Sequence, residues 1–472
     1  MSQKTSHDLI VIGAGTAGLP AAITAAQRGA RVLVVEVAAD IGGTLHWSSA
    51  QMSAAGARRQ KAKGIDDHPD LHFADVMRIS NGNANPALVR IAVDEAAATI
   101  DWLDDNGFDF DPATPSLFYG HQAYGRARTY WGRDQGHSVL AVMRRLLDEQ
   151  VAAGRVSVML NTRFQSLVVE NGAVVGVRAK DDKDAVTEAR AAAVVLTSGG
   201  YAANVDLYRD IQNQTQYQKA FCPTARGEGL LAARAVGAKV INGHLYTIST
   251  LTVLKDDTFP SPLSLRVNTI PQNRPPWEIW VNDRGERFIA EDEPIIDERE
   301  KALEQQPHKR LWIVFDDVIR RESPDIVMAW FEPPMADPYN KHKAFFSAPT
   351  LEGLAGLCKL DGENLKSNVA DYNRGQGAGQ DRFGRKHMPR PIVTPPFYAI
   401  RQQGGALSTT GGLAVDSQMR VLDGSDRPIP GLYAAGEVIG AGQTMGDAAV
   451  GGMMVTPAIT FGRLLGQRLL TW

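Results

Sequence analysis

Glycines at 13, 15 and 18, followed by a carboxylate at Glu36, are the first residues in the chain whose types and spacing could do chemistry. They lie in DLIVIGAGTAGLPAAITAAQRGARVLVVE, residues 8–36, which reads as strand, tight turn, helix and strand. In such a unit the first glycine permits the turn. The second lets a pyrophosphate approach the backbone at the helix N-terminus, and the third lets helix and strand pack closely. Glu36 ends the second strand, where a carboxylate can accept the ribose hydroxyls of the same dinucleotide. Thr16 and Ala17 fall inside the turn, within reach of the phosphates. A second group is GAGQTMGDAAVGGMMVTPAITFGR, Gly440 to Arg463, with a pair at Gly451 and Gly452 and Asp447 as the only charge between its ends. Pro457 suits the first turn of a helix there. A third is YGHQAYGRARTYWGRDQGH, Tyr119 to His137. Its Tyr124, Arg126, Tyr130 and Arg133 could supply a base or bind an anion.

The elements that must position these groups are legible in outline. Leu9 to Ile12 is an apolar, β-rich run, as expected of a parallel strand buried on both faces. Ala39 to Gly56 is a loop of small and polar residues. Arg155 to Val169 and Ala173 to Val177 read as strands, and Ser138 to Ala152 as a helix. Ala191 to Asn204 gives a buried strand ending in TSGG, and Thr224 to Ala238 a loop opening a helix. Residues 243–395 have a different texture, rich in proline, with a hairpin signature, WVNDRGERF, turning at Asp283 to Gly285. The 472 residues allow two or three domains. A net charge of −3 argues against a nucleic-acid partner. No apolar run reaches membrane-spanning length, and the N-terminus lacks the pattern of a secretory signal. The two cysteines, Cys222 and Cys358, form no CxxC, so a disulfide framework, an iron–sulfur site and c-type haem are not expected. A cytoplasmic protein is the expectation, with no metal.

In order along the chain, these pieces resemble the fumarate reductase/succinate dehydrogenase flavoprotein superfamily, including its 3-ketosteroid dehydrogenase branch. The resemblance rests on IGAGTAGLPAA with Glu36, IGGT at Ile41, LTSGG at Leu196, ARGEG at Ala225 and VNDRGERF at Val281. It continues through ADYN at Ala370, PPFYAI at Pro395, GGLAVD at Gly411 and GLYAAGEV at Gly431. It implies an α/β fold: a Rossmann-type FAD-binding domain split between residues 1–242 and 396–472, with an inserted α+β capping domain at 243–395. It also implies FAD contacts at Gly13, Gly15, Thr16, Ala17, Gly18, Glu36, Gly42, Gly43, Thr44, His46, Ser48, Gly199, Gly200, Glu228, Gly436, Glu437, Gly452, Met454 and Val455. In such proteins the helix after the glycine pair points its N-terminus at the flavin, and its dipole favours the negative charge gained on reduction. HWSSAQ is similar to the succinate dehydrogenase segment that attaches FAD through a histidine, so His46 is either a covalent link or a plain contact with the ring.

The departures from the superfamily bear on substrate. Dicarboxylate members carry an arginine just before the glycine pair, where this chain has Ala448 to Val450. Their substrate histidines fall at Ser408 and near Ser249, and a proton-path glutamate falls near Pro271. A buried dianion without such anchors is costly. The uncharged stretch resembles the ketosteroid dehydrogenases more, although the tyrosines expected there fall near Ala448 and Ile295. The remaining catalytic candidates are Tyr246, Arg274 in QNRPPW, Arg299 in DERE, and the Gly452 backbone, beside Tyr130 and Arg133. Arg287 in GERF is read as structural. The expected activity is α,β-dehydrogenation, or the reverse ene reduction, of a carbonyl compound such as a cyclic ketone or keto acid, by hydride transfer to flavin N5. The alternatives are an organic-acid reductase anchored by Arg126, Arg133 and Arg274, and an electron-carrying flavoprotein subunit of a larger complex. No second dinucleotide fingerprint appears, so the expected electron acceptor is a quinone or an electron-transfer protein.

Overall fold

The computed structural model describes residues 5–250, 252–406 and 408–469. At its centre is the strand predicted from the first apolar run, β1 (Thr5–Ile12). Leu9, Ile10 and Val11 are fully buried because parallel strands flank them on both sides. Ile10 lies opposite Leu33 of β2 (Val32–Val35) and Val194 of the strand Val186–Leu196. Helix α1 (Gly18–Gln27) connects β1 to β2. Beyond β2 comes Val156–Met159, and beyond Val186–Leu196 come Pro428–Ala434 and Arg420–Leu422. The ribbon Thr162–Glu170 and Ala173–Asp181 completes this eight-stranded sheet. Its tight turn is Asn171–Gly172, with φ of 51° and 78°, the geometry an Asn-Gly hairpin favours. The helix predicted from Ser138 begins earlier, spanning Gln135–Ala152.

Two smaller antiparallel sheets build the region over the cavity. One orders Thr252–Leu254, Leu263–Val267 and Val327–Trp330; the other orders Ile279–Val281, Arg310–Asp316, Phe397–Gln403 and Phe345–Ala348. Phe397–Gln403 differs from the sequence reading, which assigned it to the C-terminal FAD part. It pairs along its whole length with Arg310–Asp316 and again with Phe345–Ala348. Its residues are all buried, as a central strand requires. By sheet membership, the chain crosses back after Gln403 and not at 395. The turn predicted at Asp283 to Gly285 is present, but its return limb is a single bridge from Val281 to Arg287. Arg287 instead turns inward to ion pairs with Glu291, at 2.7 Å, and Asp381, at 2.6 Å, all three side chains buried. That is the structural role read for it. The two cysteines are unpaired. Among the described residues, no helix is long and apolar enough to cross a membrane, and no cluster of His, Cys, Asp or Glu could hold a metal ion.

Candidate active site

A cavity of about 590 Å³ opens between the large sheet and the smaller ones. Its floor is the β1–α1 turn: Gly13, Gly15, Thr16 and Ala17 line it. Gly13 has φ of +100°, and a Cβ there would lie 2.6 Å from the Thr197 carbonyl oxygen. A Cβ on Gly15 would meet nothing within 4 Å, so this position leaves an open cradle. A Cβ on Gly18 would collide with the Gly13 carbonyl, so Gly18 serves packing and lies off the wall. Ala17, the N-cap of α1, offers no capping side chain; Leu19 N already donates to the Gly15 carbonyl at 3.0 Å and Pro20 has no N–H, so Gly18 N–H is the first-turn donor left for an anion. Glu36 also lines the cavity, but its carboxylate is already engaged. Its oxygens accept from Ala14 N at 2.7 Å and from Ala38 N at 2.8 Å, leaving lone pairs for one further partner each.

Further along the wall are Gly43, Thr44, Ser48, Ser198, Gly199, Glu228, Gly436 and Glu437. Glu228 is ion-paired with Arg163. Glu437 accepts from Thr409 N at 2.8 Å and its Oγ1 at 3.0 Å, and burial raises its carboxyl above the usual range. Gly200 is off the wall; a side chain there would run into Thr409 and Glu437. Ser198 Oγ is buried, lines the cavity and has no hydrogen-bond partner. The open cradle at Gly15 and this orphaned hydroxyl fit a bound dinucleotide. Gly42 and His46 are not on the wall. The His46 ring instead turns to the Ile41 carbonyl, Nε2 to O 2.8 Å, and lies edge-on to His137 at 5.6 Å. A covalent or direct flavin contact through His46 is therefore not supported by this placement.

The far end of the cavity is walled by Phe118, Ile270, Met328 and Val450, with Thr247, Ser249, Thr252, Asn273 and Ser408 as its uncharged polar groups. Three titratable side chains join them: His121, Arg266 and Glu300. Burial lowers His121 to about 4, so it is neutral at pH 7, and burial raises Glu300 well above its ordinary value. His121 Nδ1 has no partner. Gly452, Met454 and Val455 bring the glycine pair and the helix Val455–Arg468 to the same wall. Pro457 falls in that helix's first turn, as expected. Gly452 has φ of +76°, and a Cβ there would lie 2.5 Å from the Met52 carbonyl carbon and closer still to Ser53 N. Its lack of a side chain is thus already required by the neighbouring strand. Tyr124 is off the wall and donates to the Gly451 carbonyl, pinning this loop from behind.

A family model described as FAD binding domain matches residues 8–453. The chain belongs to this FAD-binding family. It is 31% identical over 467 residues to "Fumarate reductase (cytochrome)" of Shewanella frigidimarina, covering 98% of this chain and 76% of that protein. It is 26% identical to the 3-oxosteroid 1-dehydrogenase of Mycobacterium tuberculosis, covering 97% of each. The 3-ketosteroid delta1-dehydrogenase from Sterolibacterium denitrificans shares its fold, with a TM-score of 0.80 at 23% identity over 98% of this chain and 99% of that one. The protein is an FAD-dependent oxidoreductase acting on carbon–carbon single and double bonds. Bound in the cavity, FAD supplies a two-electron acceptor and donor of hydride.

Within this flavoprotein, most side chains chosen by sequence for catalysis do not reach the cavity. Tyr130 is fully buried opposite Met52 in a short ladder, against Phe110, and burial raises its hydroxyl. Arg133 is in an exposed ion pair with Asp109, and Arg126 bonds backbone carbonyls on the surface. Tyr246 is buried under Lys309, which lies 4.7 Å from its ring centre. Arg274 is held at 2.8 Å by Glu278 in a separate cavity of about 280 Å³. Arg299 is fully buried, donates to the Thr269 carbonyl at 2.5 Å, and leaves Nε and Nη2 without partners. It approaches the site only through Glu300, its chain neighbour. Of the catalytic candidates, Gly452 alone is on the wall. The reactive groups that line it, His121, Arg266 and Glu300, went unselected. Arg266 carried a readable signal: it is the one charged residue between Asp257 and Arg274.

Proposed function

We propose that the enzyme dehydrogenates, or in reverse saturates, the bond α,β to a carbonyl, in a cyclic ketone or a keto acid. The observation that carries this reading is the make-up of the far wall. Ala449 and Val450, with Ser249 and Ser408, stand where a small dianion would need charged anchors, and an unpaired dianion there would be costly. A carbonyl oxygen, by contrast, needs only hydrogen-bond donors. The Asn273 amide, on the same wall, is suited to that task. The carbonyl acidifies the α-proton, so a proton leaves carbon α and a hydride leaves carbon β, or both are added. Arg126, Arg133 and Arg274, the anchors of the organic-acid alternative, lie elsewhere. The electron acceptor or donor is a quinone or an electron-transfer protein.

The test is an anaerobic titration of the holoenzyme with a ketone and with the alcohol made by reducing it. The ketone should bleach the flavin, and the alcohol should not, because its α-proton is no longer acidic. Equal bleaching by both would overturn the reaction class in favour of alcohol oxidation.

A further inference from the structure

Two guanidinium groups line the cavity, and they differ in one respect. Arg163, near the dinucleotide end, is neutralised by Glu228. Arg266, in the strand Leu263–Val267, has no hydrogen bond or ion pair within the described residues; its one recorded contact is with the Phe331 ring, 5.4 Å from the centroid. The carboxylates next in chain to this strand and to Phe331 are committed elsewhere. Glu332 is taken by Ser264 at 2.5 Å and by Lys255 at 3.4 Å, and Asp257 by Arg401 at 2.7 Å. Burial lowers the Arg266 pKa, and no carboxylate acts to raise it again. A half-buried guanidinium left without a counter-ion is costly to keep, and a charge in such a place is normally paired.

The register of the sheet aims this charge. Thr252 lies directly across the ladder from Arg266, so the two side chains share a face, and both line the cavity. The apolar surface beside them comes from Phe118, Ile270 and Met328. Glu300 is the carboxyl at this end, with its pKa raised by burial, and Arg266 is the guanidinium there.

We propose that Arg266 is a substrate anchor, and that the substrate carries a single carboxylate on an otherwise apolar, carbonyl-conjugated body. The guanidinium binds the carboxylate through paired N–H bonds; the Thr252 hydroxyl is already spent on the Gln403 carbonyl, at 2.8 Å. The body lies against Phe118, Ile270 and Met328. This narrows the proposed function from cyclic ketones and keto acids to acids, and it rests on that reading for the location of the reacting bond. A dicarboxylate would leave its second charge against Ile270 and Val450.

Calorimetry on the holoenzyme tests this without turnover. The probes are cinnamate, sorbate and 4-oxo-2-pentenoate, each beside its methyl ester, with fumarate as the dianion. At least one acid should bind about ten- to a hundredfold more tightly than its ester, the range for a hydrogen-bonded charge, and more tightly than fumarate. Arg266→Gln should remove that advantage and leave ester binding unchanged, while Arg266→Lys should keep part of it. If none of the three acids outbinds its ester in the unmodified enzyme, or if Arg266→Gln keeps the preference, the inference falls. The two readings fail separately. Acid binding at Arg266 with no flavin bleaching by any conjugated carbonyl compound would sink the reaction class alone. Bleaching by conjugated carbonyl compounds, with the acid-over-ester preference absent or kept in Arg266→Gln, would sink the anchor alone.

Discussion

Replacing Glu36 separates two roles that its position combines. Its carboxylate would hold the ribose of a bound dinucleotide, and it already accepts from Ala14 N at 2.7 Å and Ala38 N at 2.8 Å. The first of these bonds fixes the glycine turn itself, and Glu36 is only 5% exposed. Glu36→Ala therefore strips two backbone donors of their acceptor before any cofactor binds. Each such loss costs roughly 1–3 kcal/mol, so the apoprotein should lose about 2–6 kcal/mol, nearer the lower figure where water enters from the cavity. FAD affinity should fall by a further ten- to hundredfold or so, from the ribose hydroxyls left unpaired. Urea unfolding of FAD-free protein reads the first effect, and FAD titration followed by fluorescence quenching reads the second. Glu36→Gln, which keeps one acceptor but turns an amide N–H₂ toward a backbone donor, should fall between. Apoprotein of undiminished stability in Glu36→Ala would refute the claim that this carboxylate ties the turn. Undiminished FAD affinity would show that it is not at the ribose.

Three further outcomes follow from the site. His46→Ala should leave the flavin spectrum nearly unchanged, and acid precipitation of the unmodified enzyme should release all yellow colour; flavin retained in the pellet would overturn the placement of His46. Gly452→Ala should cost about 1–3 kcal/mol in backbone strain and displaced Met52–Ser53, and turnover should fall with it; near-normal melting and turnover would contradict the packing described. Glu300 has its folded pKa raised, so its contribution to stability is full below the ordinary value of 4.5 and is lost as pH rises from there to the folded pKa. Glu300→Gln should flatten that loss in unfolding experiments run upward from about pH 4, and an unchanged profile would assign the loss elsewhere.

The dinucleotide end of the site was legible because its logic is local. Gly13, Gly15, Gly18 and Glu36 lie on one strand–helix–strand unit, and short-range sterics dictate what each does. Arg287 was legible for a similar reason, since a GERF arginine after a turn is close in chain to Glu291. The far end was not. Tyr130, Arg133, Tyr246 and Arg274 have the right chemistry and lie near motifs in sequence, yet Met52, Asp109, Lys309 and Glu278 claim them. Those partners are set by packing, which side-chain type does not encode. The strand Phe397–Gln403 misled for the converse reason: a buried apolar strand looks the same in either sheet. Arg266 could have been found by asking which strand carries a lone charge among apolar neighbours.

The order of the large sheet has a bearing on how the protein is made. Val186–Leu196 and Pro428–Ala434 lie side by side in register, Val194 against Leu432, although more than two hundred residues of chain separate them. During synthesis the Val194–Leu196 edge must wait for its neighbour while the whole intervening region emerges. So must α1, whose Ala17 and Ala21 carbonyls crowd against Gly462 and Gly466 of the helix Val455–Arg468. An apolar edge left open this long invites pairing with other chains. Chains cut short before residue 428 would keep the intact FAD fingerprint and lose Glu437 with the covering strand, and they should collect as aggregates without cofactor.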